Sequence, residues 1–271
     1  MDEITQPGPA KPLPHRPSSP GPTPTGSGKR EPRVLAAGQG AAWWSEGWQV
    51  FMAAPGMWIG MIVVLLLIML ALSFVPFLGW LATSVLSPVF GGGIALGCHA
   101  LAKGRPLTVG ALFDGFSGGR FTPLVIVGLI YLAATFVLWT VVAVVILGVA
   151  GGAGLFSAIS ADPSQMGLAL FSSIGLSALV IAPIALVAAA AIMMAYWYAP
   201  PLVVLNGEEP VAAMQKSFRA CWQNLGATAV YGLIFIGLAI VASIPLGLGW
   251  LVLGPVAAGS WYASWRETFD A

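Results

Sequence analysis

Six apolar stretches, each long enough to cross a bilayer, run between about Met57 and Tyr262, and none carries a Lys, Arg, Asp or Glu in its middle. A span needs roughly 20 apolar residues at about 1.5 Å each to match a hydrocarbon core of about 30 Å. The charged residues fall between these stretches in a one-sided way. The eleven Lys and Arg residues occupy the N-terminal segment (Lys11, Arg16, Lys29, Arg30, Arg33), two later turns (Lys103, Arg105, Arg120 and Lys216, Arg219) and a site near the end, Arg266. Basic residues stay on the cytoplasmic side of inserted segments. With six crossings, all eleven fall on one side, which predicts a six-helix membrane protein with both termini in the cytoplasm. Composition agrees: 58% of residues are hydrophobic and 8% charged, and a soluble fold of this length could not hide that much apolar surface.

The expected domains are three: a tail over 1–36, a transmembrane domain over 37–266 and a short cytoplasmic C-terminus over 267–271. The tail holds nine of the 21 prolines, too few apolar groups to offset its chain entropy, and reads as disordered with polyproline character. The first apolar stretch starts too late and is too long for a cleavable signal and reads as a retained anchor.

The fold class predicted is all-α: a polytopic bundle of six transmembrane helices arranged as three hairpins. The spans are expected at about 57–77, 80–102, 122–148, 168–198, 225–244 and 248–262, the last being the shortest. The fourth exceeds a bilayer's needs and should tilt, bend at Pro183 or protrude before Pro200-Pro201. Tryptophans near span ends, such as Trp80 and Trp250 outside and Trp58, Trp197 and Trp265 inside, suit the headgroup level.

An amphipathic segment precedes each outward helix. Residues 42–55 place Trp44, Trp48, Phe51 and Met52 on one face. Residues 108–117 place Val109, Leu112, Phe113 and Phe116 at helical spacing. Residues 210–224 set Val211, Met214, Phe218, Cys221 and Trp222 against Gln215, Lys216, Arg219 and Gln223. All are too short and polar to span, so an interfacial position is expected. The result is a parallel threefold repeat over about 42–103, 108–200 and 210–266. Gly79-Trp80-Leu81 recurs as Gly249-Trp250-Leu251, and the Leu86–Gly92 run, Pro88-Val89 within it, recurs as Leu253–Gly259 with Pro255-Val256.

The Trp-rich segment ending Ala54-Pro55, the exit Tyr198-Ala199-Pro200-Pro201-Leu202-Val203 and the helix Pro210…Ala213-Met214…Ser217-Phe218…Asn224 give the chain a likeness to a known group. It resembles a family of uncharacterised six-helix inner-membrane proteins of proteobacteria. More remotely, it is similar to the membrane domain attached to some glycerophosphodiester phosphodiesterases. The resemblance spans about 40–266 and implies location and fold, with no activity carried over.

Chemistry-bearing motifs are sparse. Gly115-Phe116-Ser117-Gly118-Gly119 fits G-x-S-x-G, but a nucleophile elbow needs a strand-to-helix turn and an oriented His, and no strand signal is present. His99, shallow in the second span, is a weak candidate site by virtue of being ionisable there; a hydrogen bond to a neighbour would satisfy it. Cys98 and Cys221 read as reduced packing residues. Gly93 and Gly97, like Gly56 and Gly60, have G-x-x-x-G spacing, which serves packing within the chain or a homodimer.

No catalytic residue, cofactor, metal or nucleic-acid partner is expected. The favoured function is a non-enzymatic integral membrane protein acting through lipid or protein contacts. Lys216, Arg219, Phe218 and Trp222 are the candidate lipid or partner contacts, with anionic lipid the expected ligand. The alternative is a transporter or channel for a weakly polar or lipid-like solute, which needs fewer buried charges than an ion pathway. An enzyme built on Ser117 and His99 ranks third.

Overall fold

The computed structural model describes residues 31–159 and 166–270. Over them the chain is helical throughout, with no strand. The elements are α1 (Gln39–Ala53), α2 (Pro55–Ser73), α3 (Leu78–Ala102), a short 3-10 helix (Val109–Phe116), α4 (Phe121–Ile159), α5 (Met166–Trp197), α6 (Ala199–Asn206), α7 (Pro210–Gln223), α8 (Leu225–Ser243), α9 (Trp250–Trp265) and a π-helical turn, Arg266–Asp270. Five stretches are long and apolar enough to cross a membrane: Pro55–Ser73, Leu78–Ala102, Phe121–Val149, Ala178–Asn206 and Leu225–Ser243. The sixth expected span, α9, has 16 residues and is not among these five. Most of the expected tail, 1–30, lies outside the described residues. Its last part does not hang loose. The Arg33 N–H donates to the Thr268 carbonyl at 3.0 Å. The Asn224 side chain grips the same extended segment, accepting from the Leu35 N–H at 2.7 Å and donating to the Arg33 carbonyl at 2.9 Å.

The chain divides into two compact units. One comprises the described residues up to Gly128 together with 195 onward; the other is Leu129–Met194, the later length of α4 and the earlier length of α5. The second unit exposes long apolar side chains such as Phe136, Trp139, Leu147, Phe171 and Leu179. Apolar helices that stay exposed along their length are suited to lipid, where burial against protein is not required.

The first unit carries the repeat. The helices α2 and α8 are each 19 residues long and start and stop at matching places: Pro55 answers to Leu225 and Ser73 to Ser243. Both hairpins close on a glycine. A Cβ on Gly79 would fall on the Leu72 carbonyl, and one on Gly249 would fall on Ala242, the residue matching Leu72. Each turn also passes through positive φ two residues before that glycine, at Phe77 (64°) and Gly247 (81°).

Each repeat opens with a lead segment, and the three lead segments share one pattern. Trp43-Trp44, Ala111-Leu112 and Ala213-Met214 are buried; Gly47, Gly115 and Ser217 are buried; Trp48 and Phe116 are exposed and Phe218 half-exposed. In α1 and α7 the match continues through buried Val50-Phe51 and Ala220-Cys221 to exposed Met52 and Trp222. The buried small residue is where the backbone of another helix arrives. A Cβ on Gly47 would overlap the Val256 carbonyl of α9, and one on Gly115 would overlap the Val89 carbonyl of α3. Val89 and Val256 are partners in the sequence repeat. Ser217 substitutes for glycine by accepting a 2.8 Å hydrogen bond from the Tyr198 N–H at the start of α6.

Each lead segment therefore packs on the returning helix of the preceding repeat, and α1 closes the cycle against α9. Proline keeps the returning helices short of carbonyl partners, and side chains make up the loss. Pro201 cannot donate to the Trp197 carbonyl, which instead accepts from the Trp261 indole at 2.9 Å. Pro88 leaves the Ser84 carbonyl to the Ser87 hydroxyl at 3.2 Å.

The three amphipathic segments thus occur where the sequence predicts them, with two corrections. The second is a 3-10 helix. The first does not turn its whole apolar face one way, because Trp44 and Phe51 are buried while Trp48 and Met52 are exposed.

Candidate membrane-contact site

The helix α7 spans Pro210–Gln223, matching the 210–224 expected. It has two apolar faces, where the sequence suggests one. Ala213, Met214, Ser217, Ala220 and Cys221 form the packed face. Val211, Trp222 and, less fully, Phe218 are open. Trp222 is 61% exposed and stacks on Phe218 with ring centroids 6.1 Å apart and planes 16° apart. The stack presents a flat apolar surface with an indole N–H at its edge, the combination that suits a headgroup boundary. Arg219 is exposed beside it.

Lys216 behaves differently from expectation. Its ammonium does not project toward headgroups; it donates to Glu208 Oε1 at 2.9 Å and lies 5.8 Å from the centre of the Phe269 ring. The two side chains are only 13% and 6% exposed. The physical reason is the acidic turn Glu208-Glu209 before α7, which offers a desolvated carboxylate one that the ammonium can neutralise at short range. Lys216 therefore belongs to the packed face. Of the four candidate contacts, the structure brings Arg219, Phe218 and Trp222 together on the open side.

The α1 helix makes the corresponding pair with opposite sign. Glu46, at the Lys216 position of the repeat, accepts from Arg266 Nη2 at 2.7 Å. A second tie runs from the Trp43 indole to Glu267 Oε2 at 2.7 Å. In both helices a charge on the lead segment is matched by one that follows the returning helix it packs against.

His99 lies on α3 and its Nδ1 is 3.0 Å from the Tyr262 hydroxyl of α9. The neighbour that satisfies it is therefore a distant tyrosine, invisible to local sequence reading. Ser117 is exposed and its hydroxyl donates to the Asp114 carbonyl at 3.1 Å, so it lies at the end of a 3-10 turn and not on a strand-to-helix elbow. Cys98 and Cys221 are both buried free thiols. Burial pushes the Cys221 thiol up to about 12, with the Ser217 hydroxyl pulling weakly the other way. Gly93 and Gly97 are used within the chain: Gly93 lies against the backbone of Ala111 and Leu112, and Gly97 against Leu107. A Cβ on Gly56 would meet nothing within 4 Å. Among the described residues there is no group of three or more His, Cys, Asp or Glu placed to hold a metal.

Three residues named in the sequence gain their roles only from the structure. Trp48 and Phe116 stand at the Phe218 position of their own repeats, a signal available from aligning all three lead segments on the buried small residue. Asn224, at the end of the α7 motif, holds the segment before α1.

The chain is similar to a curated protein of Burkholderia thailandensis named "Probable inner membrane protein", with 28% identity over 225 residues that cover 82% of each chain. No family model matches, and no solved structure does. With five membrane-capable helices, this similarity supports a multi-pass inner-membrane protein of an uncharacterised kind. No match carries the remoter likeness to the glycerophosphodiester phosphodiesterase membrane domain.

Proposed function

We propose that this chain is a non-enzymatic inner-membrane protein that works by contact, with its three lead segments lying in the inner membrane interface. Its six helices, α9 included, then cross as three hairpins with both termini in the cytoplasm. The observation that carries this reading is the recurrence of an open aromatic at one position of the repeat: Trp48, Phe116 and Phe218. Each stands next to the small residue that seats its segment on protein, so one face is held and the neighbouring face is left apolar and open. An amphipathic segment fixed at the ends of spanning helices buries such a face about 5–10 Å into the headgroup boundary. Arg219, beside the Phe218–Trp222 stack, is then placed to favour anionic lipid or an acidic patch on a partner protein.

The absence of catalysis is part of the proposal. Ser117 and His99 lie in settings that offer no base-and-orienter arrangement, and a serine-directed fluorophosphonate should leave the purified protein unmodified. The contact reading is tested by a photoreactive phenylalanine analogue placed at Phe218 in intact membranes. Lipid adducts, or one discrete protein adduct, are expected there and not at Gln215. Adducts at neither position, with equal and full water access at both, would refute an interfacial α7. Orientation is tested with an impermeant maleimide on intact cells and single cysteines at Leu248 and Gln215, in a background without Cys98 and Cys221. Labelling of Leu248 alone is expected.

A further inference from the structure

The turn that follows α3 differs from the two equivalent turns in how its charge is handled. After α9, Arg266 is paired with Glu46. After α6, Glu208 is paired with Lys216. After α3 come Lys103 and Arg105, both exposed. The lead segment that packs on α3 carries Asp114 at the Glu46 position, also exposed, but next to Gly115, which sits against Val89, roughly four helical turns before Lys103. Among the described residues none of these three enters an ion pair.

The backbone concentrates the two cations. Lys103 N–H bonds to the His99 carbonyl at 3.1 Å, which puts Lys103 one helical turn beyond His99. Gly104 then takes φ 72°, and the Arg105 N–H returns to the Ala100 carbonyl at 2.9 Å. This helix-ending bend holds Arg105 next to the last turn instead of letting it run on. The charges of Lys103, Arg105 and Asp270 all reach the His99 ring, whose Nδ1 is held by Tyr262. Two full positive charges thus stand at one helix end, with Asp270 the acidic group whose charge also reaches His99. The negative end of the α3 dipole is offset by the same two cations.

We propose that the Lys103-Gly104-Arg105 turn, with His99 at its apolar edge, binds the phosphodiester of an anionic phospholipid headgroup. The ligand's chemistry follows from the site: two adjacent cations that enter no ion pair among the described residues, placed where a 25-residue apolar helix ends. Basic residues at such a boundary select anionic headgroups. The proposal does not depend on where α7 lies, since it uses α3 and α9 alone.

The test is mass spectrometry of lipids retained by the full-length protein after release from nanodiscs of equal phosphatidylethanolamine and phosphatidylglycerol. The intact protein should retain phosphatidylglycerol in preference. A Lys103→Gln, Arg105→Gln variant should lose that preference by about thirtyfold, the scale expected for two basic residues near an anionic surface. Lys103→Arg with Arg105→Lys should keep it, which separates loss of charge from loss of fold. Arg120→Gln, at a basic residue of another turn, should also keep it. Unchanged preference in the double Gln variant, or equal loss in Arg120→Gln, would overturn the site. Inorganic phosphate at millimolar concentration should not displace the lipid; displacement would show that the turn takes soluble phosphate and would overturn the lipid assignment.

Discussion

The first and third repeats are built to the same dimensions, and the middle one is not. In the outer repeats a 19-residue outward helix turns tightly on Gly79 or Gly249. In the middle repeat α4 runs for 39 residues and α5 for 32, and the later length of α4 and the earlier length of α5 separate as a second compact unit. Yet the inner part of the middle repeat obeys the common pattern: its lead segment sits on α3 through Gly115 as α1 sits on α9 through Gly47. The difference shows where the fold is specified. The first unit is held together where lead segments meet returning helices, and the hairpin beyond that joint is free to vary in length.

If so, damage at the joint should exceed damage elsewhere. The largest effect is expected for Gly47→Leu. Its side chain would have to occupy the space of the Val256 carbonyl and the Ser260 N–H, and backbone cannot yield as a side-chain tip can. We expect a loss of about 3 kcal/mol or more, measured as loss of monodisperse protein after detergent extraction. Leu147→Ala, at an exposed site of the second unit, should change stability by less than about 0.5 kcal/mol.

Next in size is Lys216→Gln, which takes the ammonium away from the Glu208 carboxylate in a nearly buried site. Removing one partner of such a pair costs about 3–5 kcal/mol at full burial, and less here. Glu208→Gln added to it should restore much of the loss in thermal unfolding. No recovery would mean that the pair is not what seats α7. The comparison extends to α1: Arg266→Gln should cost less, because Arg266 and Glu46 are 36% and 28% exposed.

A smaller and purely chemical effect concerns Cys221. Because its thiol is held up at about 12, above its ordinary value, it stays protonated through neutral pH. The folded protein should resist maleimide at pH 7 and remain resistant as the pH is raised to about 9, where an ordinary thiol reacts as thiolate. Rapid native-state labelling at pH 7 would mean that the packed face of α7 is open.

Much of this was legible in the sequence. Five of the six spans, the bounds of α7 and the Gly79/Gly249 and Val89/Val256 correspondences could be read from apolar runs and short repeats. What could not be read was which apolar face meets protein and which meets lipid. Both surroundings are apolar, so hydrophobicity does not distinguish Trp44, which is buried, from Trp48, which is 50% exposed. The distinguishing feature is a small residue, Gly47, Gly115 or Ser217, that admits a backbone. It becomes informative only once the partner helix is known. The Lys216–Glu208 pair was not read for a related reason: the two residues are near in sequence, but nothing local shows that the ammonium turns to Glu208 and the Phe269 ring. The His99–Tyr262 contact joins helices far apart in the chain and leaves no local trace.

The central claim is that one repeat position, occupied by Trp48, Phe116 and Phe218, faces lipid at one depth in all three lead segments. Spin labels placed singly at these positions in the full-length protein, in lipid bilayers, measure that depth through the ratio of oxygen to polar-relaxant accessibility. The account predicts matching depths just below the phosphates at all three, with Gln215 in water. A water-exposed label at any one of the three, or depths that differ by the thickness of a leaflet, would contradict it.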